Sequence, residues 1–205
     1  MSERAKADSP STVLPLRERN RLRTRREMLD AALEVFTESG YGSATVESIA
    51  ARVGASKVTL YSYFPQGREE LFRELYEEIN TQLVEQAVRI HEVEGEFRSR
   101  VRALTEALME VAQRPLVGRF YSIDDPALDE ALDPVRGHAS GVFADYITAD
   151  LAAAQKTKSV STKASPRVVA TLLVGAMRSA LRDVADGSVS PTEILDSMDA
   201  LVANL

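Results

Sequence analysis

The chain reads as an all-α protein of about nine helices, and three features of the sequence predict that class. Glycine and proline are few, at 10 and 8 in 205 residues, while Ala, Leu, Val, Glu and Arg dominate, a composition that favours helix by intrinsic propensity. Apolar residues recur at three- and four-residue steps along most of the chain, without the two-residue alternation of a half-buried strand. Ser-Pro pairs and single glycines punctuate the periodic segments where helices start and stop.

Residues 1–18 contain Ser, Thr, two prolines and few large apolar groups, and read as a disordered basic arm. From about Arg19 to Ser39, Leu22, Met28, Leu29, Ala32, Leu33, Val35 and Phe36 form one helical face, stopped by Gly40 and Gly42. Thr45 is an N-cap for a short helix that Gly54 ends, and Ser56 caps a second, Lys57 to about Phe64, broken by Pro65-Gln66-Gly67. Three helices in about 45 residues, the last two short and joined by a tight glycine turn, outline a helix-turn-helix over residues 19–67. A long amphipathic helix starts at Arg68 and frays near Gly95; another runs from about Phe97 to Arg114. Leu116–Ile123 forms a short helix, and Asp125-Pro126 opens a further segment with a break at Pro134 before a helix ending near Ala154. Gln155–Ala164 is an exposed Lys/Ser/Thr-rich loop. Ser165-Pro166 and Ser190-Pro191 open the last two helices, each an N-cap followed by proline in the first turn. Residues 68–205 thus form a second, larger helical unit.

Composition removes several function classes. The absence of cysteine excludes a disulfide framework and thiolate zinc sites. The most apolar stretch, Val168–Met177, is far short of the roughly 20 residues of a membrane span. No apolar signal core follows the N-terminal basic residues, so a cytoplasmic protein without membrane contact is expected. The two histidines are His91 and His138; in His91-Glu92-Val93-Glu94 the candidate ligands diverge around a helix. No nucleophile elbow, phosphate-binding glycine loop or zinc-protease motif is present, so neither a catalytic site nor a metal or cofactor is expected. The net charge of −6 is unevenly divided. Residues 1–68 hold 11 Arg and Lys against 8 Asp and Glu, with six arginines between Arg17 and Arg26, and the rest of the chain is acidic. A basic head on an acidic body suits phosphate contact at one end.

The block Thr45 to Phe72, TVESIAARVGASKVTLYSYFPQGREELF, carries the functional information. Ile49, Ala50, Val53 and Leu60 supply buried faces, and small Ala50 permits a close helix crossing. Lys57, Thr59, Tyr61 and Tyr63 lie near the start and outer face of the second short helix. A lysine reaches a guanine edge or a phosphate, and a threonine methyl meets the thymine methyl. Tyrosine hydroxyls and helix N-termini suit phosphate oxygens.

This block resembles the TetR family of repressors, through Thr45, Ile49-Ala50, Val53-Gly54-Ala55-Ser56, Thr59-Leu60-Tyr61, Tyr63-Phe64 and Arg68-Glu69-Glu70-Leu71-Phe72. The preceding Leu33-Glu34-Val35-Phe36 and Gly40-Tyr41 are similar to the end of that family's first helix. The resemblance implies that Lys57, Val58 and Thr59 face base edges, and that Thr45, Ser56, Tyr61, Tyr63 and Arg68 hold the phosphate backbone. Tyr63 has the alternative of packing beneath the first helix. Two departures stand out: the turn at Pro65-Gln66-Gly67 is one residue longer than the commonest form, and Arg68 replaces a usual lysine. The Arg-rich arm adds a candidate minor-groove or phosphate contact.

The same resemblance implies double-stranded operator DNA, a second copy of the chain and a small organic effector as partners. Val169, Leu172, Leu173, Ala176, Met177, Ala180 and Leu181, with Ile194, Met198 and Leu201, are the expected dimer surface. Met109, Phe120, Tyr121, Phe143 and Tyr146 are the expected pocket liners. A repressor released from its operator by the effector is the leading expectation. An activator of the same fold, or a helical protein-interaction module with a basic head, are the alternatives.

Overall fold

The computed structural model describes residues 14–205 apart from 94, 127, 129–131, 133, 134 and 136. Among these residues there are nine helices and no strand. They are α1 (Leu16–Ser43), α2 (Val46–Arg52), α3 (Lys57–Tyr63), α4 (Arg68–Glu92), α5 (Phe97–Gln113) and α6 (Pro115–Tyr121), followed by α7 (His138–Thr157), α8 (Pro166–Ala185) and α9 (Pro191–Ala203). Most of the arm and the expected break at Pro134 lie outside the described residues. The last residues assigned to the arm are helical instead. Pro15, with φ −52°, accepts from the amides of Glu18 and Arg19 at 3.0 Å, so α1 begins at Leu16. Leu22, assigned to the buried face, is 52% exposed.

Local chemistry sets the boundaries of the short helices. Gly40, at φ +73°, interrupts α1 before its last turn. The Thr45 hydroxyl accepts from the Ser48 amide at 3.1 Å while Ser48 Oγ accepts from the Thr45 amide at 3.2 Å, a reciprocal cap on α2. Ser56 caps α3 through the Thr59 amide at 3.0 Å. Ser190 and Glu193 close the same kind of reciprocal box on α9. Ser165 makes no such side-chain bond, and α8 starts on its proline alone.

The head and the body share one core. Phe36 of α1, Phe72 of α4 and Phe120 of α6 meet with ring centroids 5.0 Å (Phe36–Phe72) and 4.5 Å (Phe72–Phe120) apart, and Tyr41 packs edge-on against Phe72 at 5.1 Å. Each of these phenylalanines is at most 1% exposed, and burying a side chain of this size contributes about 1.5–3 kcal/mol. The approach of α6 depends on Gly118, where a Cβ would lie 2.1 Å from the Ala112 carbonyl oxygen. Helix α8 packs on α5 and α7, and α9 on α5. Arg102 of α5 pairs with Asp199 of α9. His91 bridges α4 to α7 through Asp150 at 2.9 Å, with Arg100 on the same carboxylate at 2.7 Å. No helix among the described residues is long and apolar enough to cross a membrane.

Candidate nucleic-acid interface and effector cleft

Helix α3 is only seven residues long, too short to be stable alone, and it is held from beneath by Leu60 and Phe64, both fully buried. That mounting leaves Lys57, Val58 and Thr59 in solvent on the first turn, with Val58 80% exposed. Ser56 and Thr59 join their hydroxyls at 2.8 Å, and Lys57 forms an ion pair with Glu47 across the α2–α3 turn. The hydrogen bond between them holds the Lys57 ammonium above the usual lysine range and the Glu47 carboxyl below the usual carboxylate range. Tyr61 is partly exposed and leans over Gly67, where φ is +65° and a Cβ would come within 3.1 Å of both the Tyr61 ring and Val46. Glycine is the residue that fits this turn.

Two of the expected phosphate contacts have other partners. Arg68 is turned inward: one guanidinium nitrogen donates to the carbonyls of Tyr41 (3.1 Å), Gly42 (3.3 Å) and Ala44 (3.0 Å), with the group 4.6 Å above the Tyr41 ring. It fastens the end of α1 to the start of α4. Tyr63 is half-buried against α1 with Arg21 over its ring at 5.7 Å, the packing alternative. The arginine run is also partly structural. Arg25 pairs with Glu74 of α4 and lies 4.5 Å from the Phe64 ring centre, and Arg26 pairs with Asp30 and Glu78. Arg52 of α2 grips Glu34 and Glu38 of α1 at 2.7 and 2.6 Å.

In the body a cleft of about 400 Å³ opens between α4, α6 and α8. Tyr76 and Tyr121 form one wall, their rings 4.8 Å apart, and Arg178, Ser179, Arg182 and Asp183 line the other. Tyr121 donates to the buried Asn80 at 2.7 Å, and Asn80 donates to the Val135 carbonyl at 3.2 Å. Burial pushes the Tyr121 phenol far up, so it remains a neutral donor. Behind the cleft lies an apolar void of about 20 Å³ lined by Phe143, Leu83, Leu108, Val174 and Met177. Of the five expected pocket residues, Tyr121 and Phe143 therefore reach a cavity. Met109 and Phe120 do not; both are sealed in the core at 1% and 0% exposure. Tyr146 stacks on His91 at 3.7 Å instead.

Residues 28–75, from α1 into α4, match the family model for bacterial regulatory proteins of the tetR family. Over that segment the chain is similar to the tetR family. The likeness in fold extends well beyond that segment. A TetR-like transcriptional regulator from Rhodococcus sp. RHA1 superposes with a TM-score of 0.72 at 22% identity, covering 93% of this chain and 97% of that one. The transcriptional regulator FadR from Bacillus subtilis, in complex with stearoyl-CoA, superposes with a TM-score of 0.71 at 16% identity, covering 88% and 98%. The nucleoid occlusion factor SlmA of Vibrio cholerae is 32% identical over 97 residues, 46% of this chain and 49% of that protein. The match spans about half the length of this relative.

The expected dimer surface divides in two. Val169, Leu173, Met177, Ala180, Leu181 and Met198 are buried in the subunit's own core, because the inner face of α8 packs on α5 and α7 and α9 packs on α5. Leu172 (68%) and Leu201 (59%) are exposed, as is Ala176, and Ile194 is half-buried. Val168, outside the expected set, joins them at 57% exposure. The cleft residues Tyr76, Arg178 and Arg182 were likewise outside the expected liners. The recurrence of polar residues at 178, 179, 182 and 183, beside Gly175, in a largely apolar helix was the available signal for the α8 members.

Proposed function

We propose that this protein is a homodimeric transcriptional repressor that holds a two-fold symmetric operator and releases it when a small organic molecule enters the body. The observation that carries the reading is α3: a short helix on buried anchors, with Lys57, Val58 and Thr59 held out in water on its first turn. Side chains at the N-terminal end of a helix enter the major groove, where a cation, a methyl group and a hydroxyl distinguish base pairs. Thr45, Ser56 and Tyr61 flank that turn and serve phosphate oxygens. Tyr63 and Arg68 support the reader from behind. A single reader binds weakly, and two copies paired through Val168, Leu172, Ala176 and Leu201 would offer two readers to a palindrome.

Release follows from the shared core. Tyr121 lines the cleft, and its neighbour Phe120 packs against Phe36 of the head and against Phe72 at the start of α4. A ligand that fits better when α6 is displaced favours a head orientation unsuited to the operator, shifting the population away from the DNA-bound form. Acting on DNA, the protein would work in the cytoplasm. The test is selection of bound duplexes from random DNA at fixed salt. A palindromic site is expected, with Thr59→Ala costing about 1–3 kcal/mol at one base position in each half. Recovery of no preferred sequence would sink the reading.

A further inference from the structure

The effector's chemistry can be read from the cleft. Arg182 is held by Asp124 at 3.2 Å, whereas Arg178, one turn earlier on α8, makes no ion pair or hydrogen bond among the described residues. Its planar guanidinium, rich in donors, is built for a carboxylate, which it binds with two parallel charge-assisted hydrogen bonds. Arg178 also borders both the cleft and the apolar void behind it, so an anion held there would lie beside the Tyr76–Tyr121 wall. That wall supplies flat apolar surface, and its Tyr121 hydroxyl is already committed to Asn80.

Size then narrows the class. The cleft, at about 400 Å³, falls at the small end of ligand sites, which run roughly 300–1,000 Å³. The void beyond, at about 20 Å³, has room for about one water and none for a long acyl chain. The geometry points to a small organic carboxylate as the ligand of this cleft, its anionic group on Arg178 and its compact body against Tyr76 and Tyr121. This assignment rests on the effector-released regulator proposed above. Asp183, also in the cleft and five residues along α8, opposes a carboxylate nearby and so penalises ligands anionic at both ends.

Calorimetry on the full chain without DNA tests the site directly, using phenylacetate, 4-hydroxyphenylacetate and hexanoate, each beside its primary amide, with stearoyl-CoA as a long-chain probe. At least one acid is expected to bind while its amide does not. Arg178→Gln should weaken that binding by about tenfold or more, as loss of a charge-assisted pair does. Arg178→Lys should restore part of it, and Asp183→Asn should leave it equal or tighter. Both Arg178 and Asp183 lie outside the core, and circular dichroism verifies each variant's fold. Equal binding of acid and amide, binding undiminished in Arg178→Gln, or binding of stearoyl-CoA but none of the acids would overturn the assignment. So would failure of every probe to bind. Operator release is measured separately by fluorescence anisotropy. An acid that binds through Arg178 without releasing DNA would leave the site standing and remove the effector-released reading.

Discussion

Two of the surfaces that leave large apolar side chains in water, on α3 and on α8, differ in what surrounds those side chains. On α3, Val58 and Tyr61 are interleaved with Lys57, Thr59 and Ser62 on a short convex helix. On α8, Val168 and Leu172 continue into Thr171, Gly175, Ala176 and Ser179, an uncharged strip about 16 Å long at 1.5 Å per residue, with Leu201 of α9 also exposed. Apolar contact mixed with donors suits a groove that offers methyl groups and acceptors together. A strip of small and apolar residues suits close packing of one helix on another, at interaxial distances of roughly 8–10 Å. Exposed hydrophobicity alone does not identify a partner; the polar groups within it do.

The contrast breaks most visibly at Leu172. Leu172→Glu puts a charge in the middle of the α8 strip without touching the subunit's own core. Sedimentation should report a folded single chain in place of a dimer. Affinity for a full palindrome should fall by about 10²–10⁴, the loss of linked binding, while a half-site is bound as before. A variant that remains dimeric would move the interface away from α8 and remove the distinction between the two surfaces.

Arg68 separates holding the reader from touching DNA. If its clamp on three carbonyls is its role, Arg68→Ala lowers thermal stability by about 1–3 kcal/mol, the cost of the part-buried Tyr41 and Ala44 acceptors losing a charged donor. The slope of log affinity against log salt should then stay unchanged. A phosphate contact gives the opposite pair of results: unaltered melting, and a salt slope reduced by about one.

Residue patterns fix helix boundaries where the physics is local. Caps, breaks and helical periodicity located the nine helices found among the described residues, because Thr45, Ser56 and Ser190 act on amides three residues away. Orientation of long side chains was not legible. Arg68 has partners 24 to 27 residues away, and Arg25 meets a carboxylate 49 residues off, distances at which sequence spacing says nothing. The same limit hid the sides of α8. Its apolar residues run nearly around the helix, so periodicity could not tell Leu173, facing the core, from Leu172, facing water. The cleft was harder still, since Tyr76, Tyr121 and Arg178 come from three helices and meet only in the folded chain.

The smallest predicted effect concerns the reader itself. In the free protein Lys57 rests on Glu47, both side chains being more than half exposed, so the lysine must leave that carboxylate to reach a base edge. Glu47→Gln removes the competing partner and should raise operator affinity by roughly two- to fivefold, the scale of an exposed ion pair. The gain should shrink as salt is added. Loss of a negative charge near DNA would raise affinity even if Lys57 were uninvolved, so the single variant does not discriminate. A double-mutant cycle does. If Glu47 restrains the lysine, Glu47→Gln gives no gain once Lys57→Ala is present. If the gain persists in that background, Glu47 acts by repelling phosphates, and Lys57 is as free before binding as Val58 beside it.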